Sequence, residues 1–101
     1  MSKVDWFQGG NSHKVENVIV KNEGKTIVAD LKENYGDFYT VTLDKEVDRP
    51  IYSGSYVRKR DRYSGICEGF VCFEGDQFFL FGKWSEDGNW SDWILTNIDD
   101  I

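Results

Sequence analysis

Residues 63–97 read Tyr-Ser-Gly-Ile-Cys-Glu-Gly-Phe-Val-Cys-Phe-Glu (63–74), Gly-Asp (75–76), Gln-Phe-Phe-Leu-Phe-Gly-Lys-Trp-Ser-Glu (77–86), Asp-Gly (87–88) and Asn-Trp-Ser-Asp-Trp-Ile-Leu-Thr-Asn (89–97). Three stretches rich in aromatic and aliphatic residues are separated by two dipeptides that favour two-residue hairpin turns. Such turns need positive φ, which Gly, Asp and Asn adopt at least cost. The stretch therefore reads as three antiparallel strands, and the turns set their register. With Gly75-Asp76 as the loop, Phe70 faces Phe81, Glu68 faces Lys83 and Cys67 faces Trp84. With Asp87-Gly88 as the next loop, Lys83 faces Asp92, Gly82 faces Trp93 and Leu80 faces Leu95. Lys83 thus lies between two carboxylates, a match that the choice of turns did not impose. Opposite charges across a ladder contribute a few tenths of a kcal/mol, up to roughly 1.

Side chains alternate between the faces of a strand. One face carries Cys67, Gly69, Val71, Leu80, Trp84, Trp93 and Leu95 and reads as the core. The other carries Phe70, Phe79, Phe81 and Ile94, with charge only toward one end. An apolar patch of that kind predicts a cover. The candidates are a second copy of the chain, the N-terminal segment with Trp6 and Phe7, or the tail ending in Ile98 and Ile101.

The 101 residues imply one all-β domain over residues 1–101, with four Trp, five Tyr and seven Phe to build its core. A net charge of −6 disfavours nucleic acid and anionic membranes as partners. No apolar run approaches the roughly 20 residues of a membrane span. Met-Ser-Lys-Val-Asp-Trp is not a signal peptide, and a cytoplasmic location is expected. Cys67 and Cys72 sit five residues apart on one strand, on opposite faces. At roughly 3.4 Å per residue their Cα atoms lie too far apart for a disulfide. Both are expected to be reduced, with Cys67 buried. Asn89-Trp90-Ser91 matches an N-glycosylation pattern and, without a secretory signal, reads as chance.

Upstream, Met1–Gln8 reads as a short first strand and Gly9–Ser12 as a turn. Strands are expected at Lys14–Lys21, Thr26–Leu31, Phe38–Leu43 and Ile51–Arg58. Ala29–Tyr35 also allows a helical turn closed by Gly36, and Asp44–Pro50 reads as the longest loop. Pairing Arg58 with Tyr63 sets Tyr56 opposite Gly65 and Tyr52 opposite Gly69. Together with Gly82–Trp93 this gives three aromatic–glycine pairs. Glycine relieves crowding where a sheet bends, and the aromatic restores cover. The expected architecture is a single antiparallel meander of seven or eight strands, a small up-and-down barrel or barrel-like sandwich.

No constellation points to catalysis. His13 is the only histidine and falls at the Gly9–Ser12 turn. Two separated cysteines and one histidine make no zinc site, and no phosphate-binding or calcium-binding motif is present. No cofactor is expected, and the chain reads as a non-enzyme. Tyr56-Val-Arg-Lys-Arg-Asp-Arg-Tyr63 concentrates four positive charges and reads as a solvated hairpin tip rather than a nucleic-acid contact. Gly82-Lys83-Trp84 resembles the Gly-x-Trp of lipocalins over three residues. In that family the motif lies on the first strand and here on the penultimate one, so no family is assigned from it.

Two functions fit this reading. In the first, a small apolar or aromatic ligand binds inside the barrel against Tyr52, Tyr56, Trp84 and Trp93, with Arg58 at the rim. In the second, Phe70, Phe79, Phe81 and Ile94 form the interface of a homodimer or interaction module. The acidic surface also suits an inhibitor of a basic partner.

Overall fold

The computed structural model describes residues 2–8, 11–23, 25–32, 36–74 and 77–98. Eight strands follow one another in a meander: β1 (Ser2–Gln8), β2 (Asn11–Glu23), β3 (Thr26–Lys32), β4 (Phe38–Lys45), β5 (Ile51–Arg58), β6 (Ser64–Glu74), β7 (Gln77–Glu86) and β8 (Asn89–Ile98). Each pairs antiparallel with the next, and β1 also pairs with β8, so the sheet closes into a barrel. Closure pairs the two terminal strands with each other, so neither presents an open sheet edge over Lys3–Trp6 and Trp93–Thr96.

The central hairpins have the register their turns demand. Glu68 faces Lys83, Lys83 faces Asp92, and Gly82 faces Trp93. Asp87 and Gly88 both have positive φ, at 50° and 82°, as a tight hairpin turn requires. Gly75 and Asp76 lie outside the described residues, but the flanking pair Glu74–Gln77 is in place. The pairs Tyr56–Gly65 and Tyr52–Gly69 also form. Lys83 Nζ bonds Asp92 at 3.0 Å. Both side chains are more than half exposed, so the pair adds little stability.

Three local expectations change. Ala29–Lys32 are strand, which removes the helical turn proposed from Ala29. The tertiary ladder with Phe38–Val41 outweighs the weak local helix preference. Glu33–Tyr35 lie outside the described residues, and Gly36 has φ of 94°. Asn11 and Ser12 belong to β2, so His13 sits within a strand opposite Trp6 and not in a loop. Gly9 and Gly10 are outside the described residues. The Asp44–Pro50 loop shrinks because Asp44 and Lys45 remain paired with Ser53 and Tyr52.

The inward face is the core. Ile27, Leu43, Leu80 and Leu95 are almost fully buried, joined by Tyr52, Tyr56, Cys67 and Trp93. The outward face stays open: Phe70 and Phe81 are 43% and 44% exposed, with ring centroids 5.9 Å apart. The N-terminal segment does not cover them, because β1 completes the sheet instead. Trp6 pairs with Trp93 in the β1–β8 ladder and packs against the core. Phe79 and Ile94 are half-buried. Of the tail, the other proposed cover, Ile98 ends β8 opposite Phe78, and Asp99–Ile101 lie outside the described residues.

Candidate functional site: a rimmed cavity inside the barrel

The barrel encloses a cavity of about 280 Å³. Its floor is aliphatic, built from Val4, Ile27, Ala29, Val41, Leu43 and Leu95. Its upper wall is aromatic, with Trp6, Tyr39, Tyr56, Tyr63, Trp84 and Trp93. Asp37, Arg58 and Glu86 complete the lining at the end where the β3–β4, β5–β6 and β7–β8 connections meet. The meander explains this polarity. Connections alternate between the two ends of an up-and-down barrel, and three polar ones cluster at the end where Arg58 and Glu86 finish their strands.

Tyr56 is the centre of the aromatic wall. Its ring lies 5.9 Å from Trp84 in an edge-on arrangement, 6.3 Å from Tyr39 and 6.4 Å from Tyr63. Its hydroxyl donates to the Ser85 carbonyl. Burial, then the neighbouring Tyr63 and Glu86, push its ionisation well above the usual tyrosine range. The ring also covers Gly65, where a Cβ would sit 2.5 Å from Tyr56 atoms. Trp93 closes the adjacent wall: its Nε1 donates to the carbonyls of both Glu68 and Lys83 at 3.0 Å. The Trp84 Nε1 is buried without a hydrogen-bond partner.

The rim carries two ion pairs. Arg58 donates to both carboxylate oxygens of Asp61, at 3.0 and 2.8 Å, and its guanidinium lies 5.1 Å from the Tyr63 ring centroid. Hydrogen bonds to Asp61 and Tyr39 hold Arg58 firmly protonated. The same guanidinium, with the Tyr63 amide, keeps Asp61 ionised well below the usual carboxylate range. Arg60 bonds Asp37 at 2.9 Å. Tyr63 donates its hydroxyl to Asp87 and accepts the Asp87 amide. Two of the four cations of the β5–β6 segment are therefore engaged in ion pairs around the opening.

Four of the five residues expected to line a ligand site, Tyr56, Arg58, Trp84 and Trp93, come together around this cavity. Tyr52 does not. It is buried on the same strand face, but four residues nearer the opposite end of the barrel, where it fills the core. Sequence reasoning missed Tyr39, Tyr63, Asp37 and Glu86. Tyr39 faces Arg58 across the β4–β5 ladder, so that register would have found it.

No family model, curated protein or solved structure matches this chain. Its site is therefore read from its own geometry. Among the described residues, no group of three or more His, Cys, Asp or Glu could hold a metal ion, and no helix is long and apolar enough to cross a membrane.

Both cysteines are free, Cys67 buried in the cavity wall and Cys72 half-buried. Burial, then the nearby Glu68, push the Cys67 thiol up to about 12 from an ordinary value of 9.0. In the native protein, a thiol reagent is expected to modify Cys72 and to reach Cys67 only after denaturation. The thiol is neutral in the fold across the window in which the unfolded chain ionises. Its contribution to stability is therefore complete below pH 9 and is lost as pH rises toward 12. Denaturation midpoints measured across that window should fall less steeply for Cys67→Ala than for the wild type.

Proposed function

We propose that this protein is a non-catalytic barrel that binds a small apolar or aromatic ligand in its interior. The observation that carries the reading is the cavity of about 280 Å³, aliphatic below and aromatic above, opening at a charged rim. That volume lies near the lower end of the roughly 300–1,000 Å³ of small-molecule sites, which suits a ligand of one or two rings or a short alkyl chain. The reading is non-catalytic because the cavity groups best placed to act as nucleophiles, Cys67 and Tyr56, are held in their neutral forms. Titration with neutral one- and two-ring aromatics, followed by tryptophan fluorescence, should saturate at a single site. The ligand should also raise the melting temperature, since binding only the folded state at 100 times Kd adds about 2.7 kcal/mol. Quenching that stays linear and a fixed melting temperature across the series would count against it.

A second reading is favoured by the outer face. Phe70 and Phe81 form an exposed aromatic pair flanked by half-buried Phe79 and Ile94, the face a homodimer would bury. Sedimentation at rising concentration should then give a dimer for the wild type and a monomer for Phe81→Asp. Identical monomeric masses would remove this reading and leave the first untouched.

A further inference from the structure

We infer that the cavity selects a neutral amphiphile over its anionic counterpart, taken tail first with an uncharged hydrogen-bonding head at the rim, and that Asp61 sets this selectivity through Arg58. This inference rests on the ligand-binding reading above and adds the chemical class of the ligand.

The orientation follows from where the polar groups lie. Below Tyr56 the lining is aliphatic side chains and the neutral Cys67 thiol. A head group carried there would lose its hydration and gain no charged partner. Hydroxyl groups and charges occur together only at the opening, on Tyr39, Tyr63, Arg58, Asp37 and Glu86. An apolar tail therefore belongs on the floor and a polar head among the tyrosines.

The charge of the head follows from the pairs already present. Arg58 is the only cation among the described residues that line the cavity, and both its Nε and one terminal nitrogen are engaged by the two oxygens of Asp61. A carboxylate ligand would have to displace Asp61 from a bidentate contact three residues away on the same turn, where the local concentration of the competitor is fixed by the chain. Asp37 is engaged by Arg60 through one contact at 2.9 Å. Glu86 adds a second carboxylate to the lining, so the occupied counter-charge discriminates against anions. An anion loses water on entering and finds its counter-charge occupied. A hydroxyl or amide loses less, and it can bond to tyrosine oxygens without disturbing either pair.

Asp61 itself does not line the cavity. Its side chain lies on the exposed turn between β5 and β6 and bonds Arg58 and the Tyr63 amide. It is therefore a positioning residue: it cancels the charge that the cavity would otherwise offer to an anion. Removing that carboxylate turns a rim that rejects anions into one that attracts them.

The test uses a matched series on the intact chain: phenylbutanol, phenylbutanoate and phenylbutylammonium, titrated by calorimetry at fixed ionic strength. The wild type should bind phenylbutanol about tenfold or more tighter than phenylbutanoate, a difference of about 1.4 kcal/mol. In Asp61→Asn, phenylbutanoate should gain about tenfold while phenylbutanol stays within about twofold, because one guanidinium is left without its partner. A melting curve establishes that this variant is folded. Should it not fold, the wild-type ranking alone decides. Phenylbutanoate that binds the wild type as tightly as phenylbutanol overturns the inference and leaves ligand binding intact. So does a folded Asp61→Asn with an unchanged ranking. Failure of all three compounds to bind the wild type overturns both.

Discussion

Gly82→Ala is expected to destabilise the barrel by about 3 kcal/mol or more, the upper part of the range for overpacked interiors. A Cβ at this position would clash with the Glu68 carbonyl oxygen and lie 2.8 Å from the Gly69 Cα. Both are backbone atoms of the adjacent strand, so no side-chain rotation relieves the contact. The strands approach this closely because β6 and β7 each carry glycine at the same ladder position, Gly69 opposite Gly82. Urea denaturation would measure the loss. A shift below about 0.5 kcal/mol, the ordinary range for a surface substitution, would mean that β6 and β7 do not approach as described.

Trp93→Ala should cost a comparable amount, about 3–5 kcal/mol, the usual range for truncating a large buried aromatic. The ring fills the space that Gly69 leaves open, with its Cζ2 positioned 3.3 Å from where a Gly69 Cβ would be. It also ties two neighbouring strands by donating one N–H to the carbonyls of Glu68 and Lys83. Trp93→Phe separates the two contributions. It keeps most of the apolar area and removes the N–H, so a loss of about 1–2 kcal/mol is expected. If both variants lose equally, the hydrogen bonds carry the effect and the packing does not.

These two positions also show what could be read from the chain alone. The three C-terminal strands were legible because Gly75-Asp76 and Asp87-Gly88 each leave a single register open, and parity then assigns every side chain to a face. The aromatic–glycine pairs carried the further step to a closed sheet, since Tyr56–Gly65 and Gly82–Trp93 mark where the strands crowd and bend. The candidate site was only half legible. Tyr56, Arg58, Trp84 and Trp93 were reached from those hairpins. Tyr39 and Asp37 lie beyond the Glu46–Pro50 connection, where no two-residue turn fixes the register of β4 on β5. Glu86 flanks the Asp87-Gly88 turn in the sequence, and its position at the end of β7 brings it into the lining. Tyr52 shows the opposite error. Parity puts it on the inward face with Tyr56, but parity does not say how far along the barrel the open space extends.

The outer face was legible as a chemical oddity and not as a structure. Phe70, Phe79, Phe81 and Ile94 share one face by alternation. Whether β1 would cover that face or complete the sheet depended on the pairing of Val4 with Leu95 and Trp6 with Trp93, which no local turn encodes. Long-range strand pairing of this kind is set by burial across the whole barrel.

The most direct test of ligand binding in the interior is calorimetry of phenylbutanol with the wild type and with Ala29→Leu. Ala29 is buried and lines the cavity floor, so a larger aliphatic side chain there occupies the space proposed for the ligand's tail. The wild type should bind one molecule per chain, and Ala29→Leu, with a cooperative melt that establishes its fold, should bind at least about tenfold more weakly. A wild type that does not bind, or a folded Ala29→Leu that binds as tightly as the wild type, would contradict the interior site.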